Sequence, residues 1–448
     1  MIGDSLERFI KAACAPMDGS WHSSGDLTRA EAMLAAQPDL ATRDIHAAAI
    51  LGDDETVRRF IADDPASATA KRGPYDWDAL TCLCFSKYLR LDRSRSSGFA
   101  RAAEALLDAG ASPNTGFHSQ EHEPNPVFES VLYGAAGVAH HPELTRLLLE
   151  RGADPNDDEV PYHAPETFGE SDAMKIIAES GKLTPMNLTM MLQRKLDWTD
   201  YDAVQWLLEH GADPNEVSHW GNRALHHSLG RDNALEFFEL LLDDGADPTL
   251  PRKDGMSTFE IAANMGRSDV LDLFERRGFA VRLEGDAAFV EACARADEER
   301  ARTMAANDPD LVSRVRSSRG FILANFAGAG NTAGARLLLD LGFDISSSAE
   351  AHWLRGVTAL HLATWRRRLA TVKLLIERGA PLEATGPSGD TPLSLAVRAL
   401  TEVSEWTPHD STDIVAALLQ AGARPESVRR FPSGSAEADE MLERYRRH

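Results

Sequence analysis

Four cysteines in 448 residues are few: Cys14, Cys82, Cys84 and Cys293. Apart from one C-x-C pair they lie far apart and match no zinc or redox spacing, so the expectation is buried thiols in a reducing compartment, with no metal and no cofactor. Basic residues are also scarce. There are 47 Lys plus Arg against 70 Asp plus Glu, a formal charge of −23, and such a chain repels phosphate backbones. One basic cluster near the C-terminus (Arg429, Arg430, Arg444, Arg446, Arg447) reads as a solvated helix end. No run reaches the roughly 18 apolar residues of a membrane helix. The opening MIGDSLERFIKAACAP is acidic early and only briefly amphipathic, unlike a secretory leader. These absences predict a cytoplasmic chain with neither a nucleic-acid nor a membrane partner. Complete catalytic signatures are missing too: there is no G-x-S-x-G, Walker A or H-E-x-x-H, and no G-x-G-x-x-G after a strand.

What is present is ample apolar material, 43% of residues, with 26% charged. The length is two to four times that of a usual domain, which calls for several domains or one repeat array. One phrase decides for the array. It occurs as LLDAGASPN from Leu106, LLLERGADPN from Leu147, WLLEHGADPN from Trp206, LLLDDGADPT from Leu240, RLLLDLGFDI from Arg336, KLLIERGAPLE from Lys373 and ALLQAGARPE from Ala417. Each copy reads as a helix end: apolar residues at helical spacing, then Gly at a left-handed cap, then a turn outward. A second phrase opens another helix after a Gly-centred turn: GNRALHHS from Gly221, GMSTFEIA from Gly255, GVTALHLA from Gly356 and GDTPLSLA from Gly389.

These two phrases resemble the ankyrin-repeat signature, and the segment 356–383, GVTALHLATWRRRLATVKLLIERGAPLE, follows it almost throughout. The resemblance implies an all-α solenoid of about 12 helix-turn-helix units at the ankyrin period, with hairpin loops and a curved, concave groove. Residues 1–42 form a divergent N-terminal unit, 43–424 the array, and 425–448 a C-terminal capping helix. Departures from the period mark insertions near 90–99, 115–130 and 159–171, where functional elaborations of solenoids usually occur. In the last of these, EVPYHAPETFGES, two prolines leave almost no helix to form.

The histidines sort by slot. In the family the signature His is structural, and His46, His163, His226 and His361 occupy that slot, while His141 precedes Pro142 at a helix start. In SHWGNRALHHSL (218–229) this separates His226 from His219, Trp220 and His227, which fall at groove-facing positions. Trp77, Trp353 and Trp365 take comparable places, and exposed aromatics are common binding hot spots. A polar middle stretch adds Tyr162, His163, Glu166, Arg194, Lys195, Trp198, Arg231 and Asp232.

The leading reading is a non-catalytic scaffold that binds a protein or peptide in its groove through Trp77, Tyr162, His163, Arg194, Lys195, Trp198, Trp220, His227, Arg231, Trp353 and Trp365. The rival is a small-molecule pocket or enzyme in the middle repeats, with His227 or His219 as base, oriented by Asp232 or Glu166. A metal held by His219, His227 and a carboxylate ranks third, because zinc needs three or four donors at fixed geometry.

Overall fold

The computed structural model describes residues 2–18, 20–119, 126–167, 172–318, 321–348, 356–400 and 412–446. It comprises two compact units, Met1–Trp220 and Gly221–His448. Each is a stack of short antiparallel helix pairs, and the one sheet among the described residues is the two-stranded hairpin Gly116–Ser119 and Val127–Ser130. No helix of the described residues is long and apolar enough to cross a membrane. All four cysteines are buried and free.

The recurring phrase ends helices as its residues require. Gly110, Gly152, Gly211, Gly245, Gly278, Gly342, Gly379 and Gly422 all have φ between 81° and 98°, the left-handed region that costs a residue with a Cβ about 1–2 kcal/mol. In the turn after Leu107, Gly110 N–H donates to Leu107 O (3.1 Å) and Ala111 N–H to Leu106 O (3.0 Å). That pairing satisfies the last helical carbonyls. The alanine after the glycine is buried, as at Ala111, Ala212, Ala380 and Ala423, which is why the phrase reads Gly-Ala. Where the glycine is missing the helix ends differently. Asp64 and Asp308 adopt extended conformations, and a proline follows each.

Signature histidines tie each repeat to the next. His226 Nδ1 accepts from Arg223 N–H (3.3 Å) and Nε2 pairs with Thr258 Oγ1 (2.9 Å). His361 repeats the pattern with Thr358 N–H (3.2 Å) and Asp390 O (3.2 Å). His46 Nε2 reaches Ala70 O at 3.0 Å. Burial, with Arg223 and Arg252 nearby, pushes His226 down to about 4, so its ring is neutral and one nitrogen remains an acceptor. His141 instead caps a helix, accepting from Leu144 N–H at 3.1 Å.

The insertions take definite form. Around 90–99 the extra residues become a 3-10 turn, Arg93–Arg95, leading into the helix Ser96–Asp108. The segment 115–130 supplies the β-hairpin, a local exception to the all-α architecture. The proline-rich segment keeps a single turn, Val160–His163. At the C-terminal end the helix Ala436–Arg446 buries Ala438 and Leu442.

Within the second unit the stack does not follow chain order alone. The helix Ile322–Ala329 packs on Ala359–Trp365 and also touches Thr258–Asn264, whereas Gly285–Ala294 packs on Thr258–Asn264 and on Thr332–Asp340. Asn331 Nδ2 stitches the turns, donating to Gly266 O (2.8 Å) and Ala294 O (2.6 Å). Turns distant in sequence therefore meet at Asp232, whose φ is 58°. Its carboxylate, 7% exposed, faces Arg267 (3.2 Å), Arg366 (3.4 Å) and Arg368 (2.6 Å). Asp232 thus serves as the anion of an arginine cluster and not as the orienter of a histidine.

Removing that anion leaves guanidinium groups facing one another. Asp232→Asn, which tolerates the left-handed backbone, is expected to cost about 2–4 kcal/mol, read as a lower urea midpoint of the intact chain. An unchanged midpoint would show that the arginines find solvent instead.

Candidate functional site

A cavity of about 530 Å³ lies within the first unit. It is built almost wholly from segments that depart from the repeat. Ser20, Trp21 and His22 come from the loop after the first helix, Val127 and Glu129 from the hairpin, and Asp158, Glu159, Tyr162 and His163 from the proline-rich turn. Tyr133, Met190, His219 and Trp220 complete the wall.

The hairpin positions its residues by strand alternation. Residues two apart share a face, so Val127 and Glu129 both line the cavity, and Glu129 is paired across the ladder with Phe117. The close approach requires Gly116, since a Cβ there would lie 2.1 Å from Glu129 O. Phe117 stacks on Trp77, with ring centroids 4.5 Å apart. His22 sits among Phe85, Phe117 and Tyr133 at 6.1–6.3 Å, with Nδ1 3.1 Å from Glu129 Oε2. Glu129 is 2% exposed, so its carboxyl depends on protein partners such as this imidazole and not on bulk water.

The proline-rich turn is started by Asp157, whose Oδ1 accepts from Glu159 N–H (3.1 Å) and Val160 N–H (2.6 Å). Burial pushes the Asp157 carboxyl up to about 6. Its product is an unusual signature histidine. Instead of bonding the next repeat, His163 places Nε2 3.0 Å from Glu159 and Nδ1 2.7 Å from Glu166. Burial by itself would depress this imidazole, but the hydrogen bonds and charges of Glu159 and Glu166 outweigh it and raise it to about 9. His163 is therefore protonated at neutral pH. Glu166 is held below the usual range despite burial, by His163 and Arg194.

Arg194 pairs with both Glu166 and Asp197, and its guanidinium lies 3.9 Å from the Tyr162 ring centroid. Tyr162 meets Trp220 edge to face at 6.0 Å. A π turn, Gly134–Val138, holds Tyr133 beside His163, their rings 5.2 Å apart. A Cβ on Gly137 would come within 2.7 Å of Tyr133 and 2.9 Å of His163. Trp21 and Trp220 are exposed, at 72% and 38%, and form the rim.

Of the residues singled out in the sequence, the structure brings Tyr162, His163, His219 and Trp220 together here, with Glu166 and Arg194 behind them. Lys195 is fully buried, bonding Thr167 O (2.7 Å) and Asp200 (2.9 Å), and Trp198 caps the same helix. Trp77 belongs to the core at 2% exposure; the hairpin covers it, so it is not presented at a tip. In the second unit His227 is buried in the helix Ala224–Arg231, Arg231 is exposed at that helix's end, and Trp365 is half covered by Arg398. Trp353 lies outside the described residues. Among the described residues no group of three His, Cys, Asp or Glu is placed to hold a metal.

Trp21, His22, Glu129, Tyr133 and Asp158 were not anticipated. One signal was present: Trp and His adjoin at SWH (20–22), SHW (218–220) and AHW (351–353), and the first two of these supply this cavity.

Two family models match the chain, one for ankyrin repeats in many copies over residues 192–242 and one for the single ankyrin repeat over residues 355–386. Together with the helix pairs and their signature histidines, they show that the chain contains ankyrin repeats. Human ankyrin repeat and SOCS box protein 16 is 28% identical over 229 residues, 50% of this chain and 43% of that one. Putative ankyrin repeat protein L86 of Acanthamoeba polyphaga mimivirus is 31% identical over 121 residues, 25% and 19% of the two chains. The chain thus spans less than half the length of these relatives. The human ASB11 ankyrin repeat domain matches with 17% identity and a TM-score of 0.25, over 56% of this chain and 96% of that one; a score that low supports no comparison of shape. Ankyrin repeats generally mediate protein–protein binding.

Two outcomes follow from the site's geometry. Because His163 is raised from about 6.5 to about 9, its stabilising contribution is complete below pH 6.5 and is lost as pH rises through 9. Melting temperature should therefore fall over that window in the wild type and much less in His163→Gln; equal slopes would refute the assignment. Gly137→Ala should displace Tyr133 and His163, costing about 1–3 kcal/mol by overpacking and shifting the His163 imidazole resonances in NMR, whereas Gly110→Ala, beside open space, should leave those resonances in place.

Proposed function

We propose that the chain is a non-catalytic recognition scaffold that binds a protein or peptide partner on its first unit, seating one side chain of that partner in the cavity. The observation that carries this reading is the aromatic rim: Trp21 and Trp220 stand exposed around a concavity with Tyr162 and Tyr133 inside it. Large rigid aromatics bury area at small entropic cost and dominate binding energy where they meet a partner. Tyr162 is preorganised by Arg194 on its ring and Trp220 at its edge, so little ordering remains to be done on binding.

A second reading, a small-molecule site, is supported by the volume, which falls in the range of about 300–1,000 Å³ typical of such pockets. Its enzymatic form is weaker. Both nitrogens of His163 are engaged by carboxylates, leaving no lone pair to accept a proton, which leaves His22, beside Glu129, and His219 as the candidate bases among the described lining residues.

Display of a random peptide library against the intact chain, counter-selected with Trp220→Ala, tests the scaffold reading. Enriched peptides should bind the wild type and lose about tenfold or more in affinity in Trp21→Ala and Trp220→Ala, with helical content unchanged. Failure to enrich any peptide, alongside a metabolite that raises the melting temperature only in the wild type, would replace it with the second reading.

A further inference from the structure

We infer that the cavity is a receptor for an organic cation, the ammonium of a lysine side chain, alkylated or not, or the guanidinium of an arginine. This rests on the reading of the first unit as a binding face and names what that face selects.

The charge of the lining carries the argument. Glu129, Asp158 and Glu159 contribute three carboxylates, and no lysine or arginine is among the described lining residues. Counting each group once, the carboxylates of Glu129, Asp158, Glu159, Glu166 and Asp197 outnumber the cations of His163 and Arg194 even when His22, 3.1 Å from Glu129, is added to them. An anion would be repelled by that net negative charge. A neutral apolar group would strip water from the carboxylates and return nothing. A cation alone offsets that desolvation, at Asp158, which is exposed, and at Glu159, whose side chain is 15% exposed.

The rings point the same way. Trp21, Tyr133, Tyr162 and Trp220 line the space, and a cation over an aromatic face gains about 0.5–2 kcal/mol, more as water is excluded. Tyr162 already accepts a guanidinium on its ring at 3.9 Å, from Arg194. That arginine is neutralised by Glu166 and Asp197, so it does not cancel the carboxylates of the lining. The formal charge of −23 favours approach of a basic partner at low salt.

The test uses the intact chain and four small probes: the Nα-acetyl methylamides of lysine, trimethyllysine, arginine and Nε-acetyllysine. The last matches lysine in length without its charge. Tryptophan fluorescence should respond saturably to the three cations, with dissociation constants near or above about 1 mM, and at least about fivefold more weakly to the neutral probe. Asp158→Asn, an exposed position, and Trp220→Leu should each weaken cation binding about fivefold to tenfold. Equal affinity for the neutral probe, or cation binding indifferent to both substitutions, overturns the inference. Placing the same side chains in short peptides separates the sources: tighter binding in the peptide identifies a side chain of a protein partner, and equal binding identifies a free amine. Display-selected peptides that depend on Trp220 but not on a basic residue would leave the scaffold reading standing and remove this one.

Discussion

A helix pair of about 33 residues cannot bury its apolar face without a neighbour, and every other feature of this protein answers to that constraint. Where a Gly-Ala pair ends a helix, the glycine bends the chain back so that the alanine is buried against the stack. At His226 burial keeps the signature imidazole neutral, so that one nitrogen caps its own helix while the other bonds the next repeat. Stability in such an array is a sum of neighbour terms, which lets individual repeats deform as long as their neighbours remain in contact.

Deformation is where the chemistry collects. Once the proline-rich turn loses most of a helix, its histidine no longer faces a regular neighbour, and His163 becomes the centre of a Glu159–His163–Glu166 ion triad instead of a link between repeats. The hairpin and the loop after the first helix meet at that turn, bringing Glu129, His22 and Trp21 to the same cavity. One imidazole slot thus gives opposite protonation states in one chain: about 4 at His226, where burial dominates, and about 9 at His163, where two carboxylates do. The second unit solves a different problem with charge, using Asp232 to gather arginines from turns far apart in sequence.

Much of the fold was legible along the chain, because helix ends and helix starts are local events: a left-handed glycine and a Thr or Ser cap are dictated by nearest neighbours. The site was legible only in part. Tyr162, His163, His219 and Trp220 were visible as residues that scaffolding did not need. Glu129 and His22 were not, since a Glu in a polar insertion and a His in a loop carry no mark of the 106 residues between them. Trp77 read as a hairpin-tip aromatic because the strand that covers it lies forty residues further on.

By itself, then, the sequence determined the repeat, its helix pairs, the caps that end them and the positions at which the pattern breaks, all matters of short-range backbone conformation and apolar periodicity. Only the tertiary structure decided what the breaks assemble. Burial and charge pairing depend on which segments meet, and the three-dimensional packing of the loop, the hairpin and the shortened turn is what makes an acidic, aromatic-walled cavity from residues that are separately unremarkable.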